Sequence, residues 1–134
     1  MNALFKPFML KGQVALVTGA SSGFGRHFGA VLAQAGAKVI LAARRTDRVQ
    51  AACDDIVAAG GEAIAASMDV TDTASIKSAF DAAEQACGVV TVVFNNAGIT
   101  VPKALVDQTD EDRSSVVDTN LKGVDYVTRE SARR

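Results

Sequence analysis

An apolar run, Val14-Ala15-Leu16-Val17, leads without a break into Thr18-Gly19-Ala20-Ser21-Ser22-Gly23-Phe24-Gly25, and a helical pattern begins at once. Few local sequences restrict a fold so strongly. A strand ending in a glycine turn lets backbone N–H groups approach an anion with no Cβ in the way, and the positive end of the following helix adds attraction. The spacing is Gly-x-x-x-Gly-x-Gly. Glycines serve the same turn for geometry alone, so the bare alternative is a strand-to-helix junction that binds nothing.

The flanking chain supplies the expected context. Phe24, Phe28, Val31, Leu32 and Ala35 fall on one stripe at helical spacing, Gly36 stops it, and Val39-Ile40-Leu41 follows as a second strand over Lys38 to Ala42. The alternation then continues. Val49, Ala52, Cys53, Ile56 and Val57 predict a second helix closed by Gly60-Gly61, and Ala63 to Ala66 a third strand. Asp69 to Asp72 reads as a loop running into a helix N-cap, with Ile76, Ala79, Phe80, Ala83 and Cys87 as the stripe of that helix and Gly88 as its stop. Val89 to Phe94 is β-branched enough for a strand buried on both faces. After a loop through Pro102, a last helix is expected from about Thr109 to Arg133, with Val116, Val117, Asn120, Leu121, Val124 and Val127 toward the core.

Such alternation predicts an α/β fold of the Rossmann type: a doubly wound parallel sheet with right-handed crossovers and helices on both faces. Residues 1–134 are read as a single domain. A net charge of −1 gives no electrostatic case for nucleic acid or a membrane surface, and no apolar stretch, Met1 to Lys11 included, approaches a bilayer span. A cytoplasmic, soluble protein is the expectation. Cys53 and Cys87 sit on helical apolar stripes as buried free thiols, and a single histidine, His27, argues against a metal site.

Four motifs in order, the Thr18 to Gly25 turn, Asp69-Val70, Asn95-Asn96-Ala97-Gly98 and Asp118-Thr119-Asn120-Leu121-Lys122-Gly123, closely resemble the short-chain dehydrogenase/reductase family from about Leu10 onward. The resemblance implies a nicotinamide cofactor and hydride transfer between an alcohol and a carbonyl. Gly19 then allows the sharp turn, Gly23 the close approach of pyrophosphate and Gly25 the packing of helix on strand. Ser21 and Ser22 offer hydroxyls and N–H groups to phosphate or ribose, with Phe24 in the same turn; helix capping is their ordinary alternative. By the same resemblance Asp69 meets the adenine amine, with the Val70 backbone beside it. Asn96, Ala97 and Gly98 lie beside ribose and nicotinamide, Asn95 braces the sheet, and Asn120 belongs to the catalytic group through a water it holds.

The choice of cofactor turns on the end of the second strand, where a carboxylate would bond the ribose 2′-hydroxyl and repel a 2′-phosphate. Ala43 stands there, followed by Arg44 and Arg45. Two cationic forks with no carboxylate favour NADP(H) over NAD(H), although solvated charges at a helix entry look the same.

The family's serine and Tyr-x-x-x-Lys pair are absent from this sequence, whose one tyrosine, Tyr126, has Glu130 four positions on. The chain therefore reads as the cofactor-binding half of such an enzyme, inactive alone and acting on no identifiable alcohol or carbonyl. Its fourth strand is expected to be a sheet edge, and homo-oligomerisation through the last helix fits the family pattern. The alternatives are a nucleotide-binding module without catalysis and a non-functional fragment.

Overall fold

A computed structural model describes residues 9–134; the part of the expected domain at residues 1–8 lies outside it. Four strands, β1 (Val14–Thr18), β2 (Lys38–Ala43), β3 (Glu62–Ser67) and β4 (Val92–Phe94), form one sheet in the order β3-β2-β1-β4. Every pairing is parallel, with Leu16 opposite both Ile40 and Val93. A parallel pair cannot close through a hairpin, so a helix crosses between each two strands. These are α1 (Gly23–Gln34), α2 (Thr46–Ala58) and α3 (Thr73–Cys87), followed beyond β4 by α4 (Asp110–Val117) and α5 (Gly123–Ser131).

Because strand side chains alternate, the sheet carries two cores. Ala15, Val17, Val39 and Leu41 pack against Leu32 of α1 and Val49, Ala52, Cys53 and Ile56 of α2. Val14, Leu16 and Ile40 pack on the other face, against Ile76, Phe80 and Ala83 of α3 and Val127 of α5. Helices thus cover both faces, as the alternation predicts. Burial pushes the Cys53 thiol up to about 11, with Asp54 adding to the shift, and Cys53 and Cys87 are both free.

The stripe expected for α1 is rotated. Its buried residues are Gly25, Gly29, Leu32 and Ala33, whereas Phe24 is 76% and Val31 45% exposed. A Cβ at Gly29 would lie 2.4 Å from Leu41 Cδ2, so α1 sits on β2 through its glycines and turns its bulkier side chains aside. Val57 of α2 likewise proves exposed. Gly36, at φ +96°, ends the α1 region as expected, and Asp72 caps α3 by accepting from the Ala74 N–H at 2.9 Å.

The fourth strand is shorter and less buried than its composition suggests. Val89 is 57% exposed and Val92–Phe94 only half-buried, because β1 flanks one side alone and the other side is the sheet edge. Thr91 continues the pairing beyond the strand, its hydroxyl accepting from the Val14 N–H at 3.0 Å and its own N–H donating to the Val14 carbonyl at 2.9 Å.

The last helix runs unbroken from Asp110 to Ser131, close to the expected bounds, but it is not α-helical throughout. A π turn at Asp118–Lys122, in which the Gly123 N–H reaches the Asp118 carbonyl, separates α4 from α5. One extra residue in a turn rotates everything beyond it, so the apolar positions on either side no longer form a stripe. Val127 and Gly123 are buried, while Leu121 is 67% exposed and Asn120 is exposed as well, contrary to the core position expected for it. At the far end Arg134 ties α5 to α3, reaching Glu130, Glu84 and Asp81 at 2.6–2.9 Å.

Candidate functional site

In an open parallel sheet the ligand crevice lies at the carboxyl ends of the strands, where neighbouring connections leave in opposite directions. Here that point falls between β1 and β4. The chain leaves β1 through α1 toward β2, and reaches the other side of β1 through α3. A cleft of about 360 Å³ opens there.

Its walls come from all four strand ends: Gly19, Ser21, Ser22 and Phe24 after β1, Ala43 to Arg45 after β2, Met68 to Val70 after β3, and Asn96 to Ile99 after β4. All the cofactor positions read from the sequence are therefore gathered in one crevice except two, Gly23 and Gly25. Gly25 lies beneath the turn, where a Cβ would come 2.5 Å from Asn96 Nδ2 and 2.6 Å from the Gly19 carbonyl. Gly23 sits in the turn at φ +58°, and a Cβ there would meet nothing within 4 Å. Gly19, at φ +66°, is held at the close approach of β1 to β4, 2.7 Å from Ala97 Cα to a hypothetical Cβ.

The N-terminus of α1 carries no internal counter-group. Ser22 stands at the N-cap in an extended conformation without making a cap bond, and the first turn contains no acidic residue. Its first N–H groups are left for another acceptor. This uncapped terminus, with open space at Gly23, fits an anionic diphosphate.

Elsewhere in the lining the charge is mixed but ordered. Arg45 Nη2 donates to Ser21 Oγ at 3.3 Å, linking the end of β2 to the turn after β1. The Asp69 Oδ1 accepts from the Thr71 N–H at 2.9 Å and from the Thr71 hydroxyl at 2.7 Å. The Thr71 N–H, then its hydroxyl, hold the Asp69 carboxyl below the usual carboxylate range; burial opposes them and the Arg44 charge assists. A carboxyl depressed in the fold contributes stability above its unfolded pKa of about 3.9 and loses it as pH falls through the lower folded value. Asp69→Asn should therefore lower stability at neutral pH and flatten its fall below about pH 4, as measured by urea unfolding across that range.

Thr18, which the motifs do not mark as a site residue, is buried and holds the crevice in shape. It is 1% exposed at the end of β1, and its hydroxyl accepts from the Asn96 N–H at 3.1 Å and the Ala97 N–H at 3.0 Å. The available signal was a hydroxyl closing an otherwise apolar strand, since such a group needs a partner inside. Thr18→Val keeps the shape and strands the Ala97 N–H, while the Asn96 N–H keeps the Phe94 carbonyl at 3.0 Å, so an unfolding free energy lower by about 1–3 kcal/mol with an unchanged m-value is expected from urea titration. Met68 and Ile99 are further wall residues that the motifs did not single out.

Of the two asparagines after β4, Asn96 lines the cleft and Asn95 braces a helix rather than the expected sheet. The Asn96 amide braces the turn, donating to the Thr18 carbonyl at 3.1 Å and the Gly19 carbonyl at 3.4 Å. Asn95 braces a helix instead, donating to Thr128 Oγ1 at 3.1 Å. Asn120 stands outside the cleft lining and clasps its wall: Oδ1 accepts from the Ile99 N–H at 2.8 Å, and Nδ2 donates to the Ile99 carbonyl at 2.9 Å. Among the described residues no cluster of His, Cys, Asp and Glu could hold a metal ion, and no helix is long and apolar enough to cross a membrane.

Comparison with known proteins gives one consistent answer. The sequence matches the family described as short chain dehydrogenase over residues 13–134. It is 40% identical over 114 residues to the 3-oxoacyl-[acyl-carrier-protein] reductase of Escherichia coli, covering 85% of this chain and 46% of that protein. It is 38% identical over 122 residues to the NADP-dependent (R)-specific alcohol dehydrogenase of Lentilactobacillus kefiri, covering 90% and 47%. Among solved structures, a short-chain type dehydrogenase/reductase from Mycobacterium marinum superposes with a TM-score of 0.92 at 35% identity, covering 99% of this chain and 53% of that one. The chain spans about half the length of the curated relatives it matches.

Proposed function

This chain belongs to the short chain dehydrogenase family of oxidoreductases, and from that premise we propose that it forms the NADP(H)-binding portion of an enzyme interconverting an alcohol and a carbonyl. The observation that carries the reading is the uncapped N-terminus of α1, opening beside Gly23 into the cleft at the β1/β4 switch point. When bound, the dinucleotide supplies or accepts the hydride.

The residues of the chain divide the binding between them. The N–H groups from Ser21 to Gly25 take the diphosphate, with Gly19 providing the turn. Arg44 and Arg45 take the 2′-phosphate, where the open shape of Ala43 leaves room and no carboxylate repels it. Asp69, kept ionised by Thr71, accepts from the adenine amine, and Val70 lies against the ring. Asn96 holds Gly19 in place, while Ala97 and Gly98 present backbone to the ribose and nicotinamide.

Asn120 is the member of the catalytic group that this chain carries. Its amide has two lone pairs and two N–H groups, of which Ile99 uses one each, so one acceptor and one donor are left for a water. Titration of the chain with NADPH and NADH in a calorimeter tests the binding claim. Tighter binding of NADPH is expected; equal or absent heats would overturn the cofactor assignment.

A further inference from the structure

One turn of one helix backs two facing walls of the cleft. On the β4 side Asn120 clasps both backbone groups of Ile99 at 2.8 and 2.9 Å. On the β3 side Gly123 lies directly against Val70: a Cβ at 123 would sit 2.8 Å from Val70 Cγ2, 3.1 Å from its Cβ and 3.4 Å from its carbonyl oxygen. Between these contacts runs the end of the π turn, closed by the bond from the Gly123 N–H to the Asp118 carbonyl.

Val70 has little freedom to yield. It is 8% exposed, and its neighbour Asp69 is fixed on both sides, its N–H donating to Ser75 Oγ at 2.9 Å and its carboxylate holding the Thr71 N–H at 2.9 Å. Close-packed groups of this kind transmit displacement rather than absorb it. From this arrangement we infer that Gly123 is a positioning residue: its missing side chain sets the separation of the Val70 and Ile99 walls, and with it the grip on the nucleotide. The inference rests on the nucleotide reading above.

An added methyl group leaves two ways out. Either Val70 is pushed into the cleft, or the π turn moves off and carries Asn120 away from Ile99. Helix propensity predicts the opposite sign, since alanine favours a helix over glycine, and so a purely local role for Gly123 makes Gly123→Ala harmless or stabilising.

The test is a double-mutant cycle of Gly123→Ala and Val70→Ala, read by NADPH titration and by hydrogen exchange at the Ile99 N–H. Gly123→Ala is expected to weaken NADPH binding about tenfold and to speed Ile99 exchange, while the double variant matches Val70→Ala alone. Should Gly123→Ala fail to fold, the double variant must fold and protect Ile99. Parent-like behaviour of Gly123→Ala in both readouts, or a double variant no better than Gly123→Ala, overturns the inference. If the parent binds no NADPH, the nucleotide reading falls, and Ile99 exchange alone decides the role of Gly123.

Discussion

Gly19→Val is expected to weaken NADPH binding at least about a hundredfold. Two independent costs meet at this residue. Its φ of +66° lies in the left-handed region, which a β-branched side chain enters at a cost of about 1–2 kcal/mol. Its Cβ would also lie 2.7 Å from Ala97 Cα and 3.0 Å from Ala97 N, both backbone atoms that cannot rotate away. Relief requires β1 and β4 to part at the switch point, which removes Thr18 from the N–H groups of Asn96 and Ala97 and tilts the turn that aims the α1 N–H groups. The expected loss of affinity is at least about a hundredfold, since the strain and the clash together exceed roughly 3 kcal/mol. Gly60→Ala serves as the control. Gly60 has φ +87° with nothing within 4 Å of a hypothetical Cβ, so its substitution strains the backbone far from the cleft and should leave NADPH affinity at the parent value. Calorimetric titration of both variants, beside their thermal unfolding, separates a damaged site from a damaged fold.

Arg44→Asp is expected to invert the cofactor preference proposed above. Arg44 lines the cleft directly after β2 and its charge already acts on Asp69. Replacing a guanidinium by a carboxylate removes a charge-assisted hydrogen bond to a 2′-phosphate, worth about 1.5–3 kcal/mol, and sets two anions against each other. The same carboxylate can accept from a ribose 2′-hydroxyl, so NADH binding is spared or improved. The ratio of NADPH to NADH affinity should fall by about a hundredfold or more. An unchanged ratio would show that Arg44 is only a solvated charge at the entry to α2. Arg45 is the weaker target, because its guanidinium already engages Ser21 at 3.3 Å.

The parts of this fold governed by short-range pattern were legible before any coordinates. Strand and helix order, the stops at Gly36 and Gly88 and the Asp72 cap follow from periodicity and turn chemistry, whereas the convergence of Gly19–Phe24 with Arg44–Arg45, Asp69–Val70 and Asn96–Gly98 is what the family resemblance implies. The misreadings have a shared cause in contact geometry. Hydrophobicity placed Phe24 and Val31 inward, yet α1 docks through Gly25 and Gly29, whose value is their lack of bulk and which no apolar scale rewards. A fixed helical period across Thr109 to Arg133 put Asn120 in the core, and the π turn moved it to the surface against Ile99. Thr18 and Gly123 act on residues 70 or more and about 50 positions away in the chain respectively, so their partners exist only once the sheet is assembled.

The central claim is that the N–H groups at the start of α1 hold a dinucleotide diphosphate. Titrating NADPH into labelled protein and following each backbone N–H by NMR tests it most directly. The largest shifts are expected at Ser21 to Gly25, with smaller ones at Asp69, Val70, Ala97 and Gly98. Saturating NADPH that leaves the amides of residues 21–25 unmoved would contradict it.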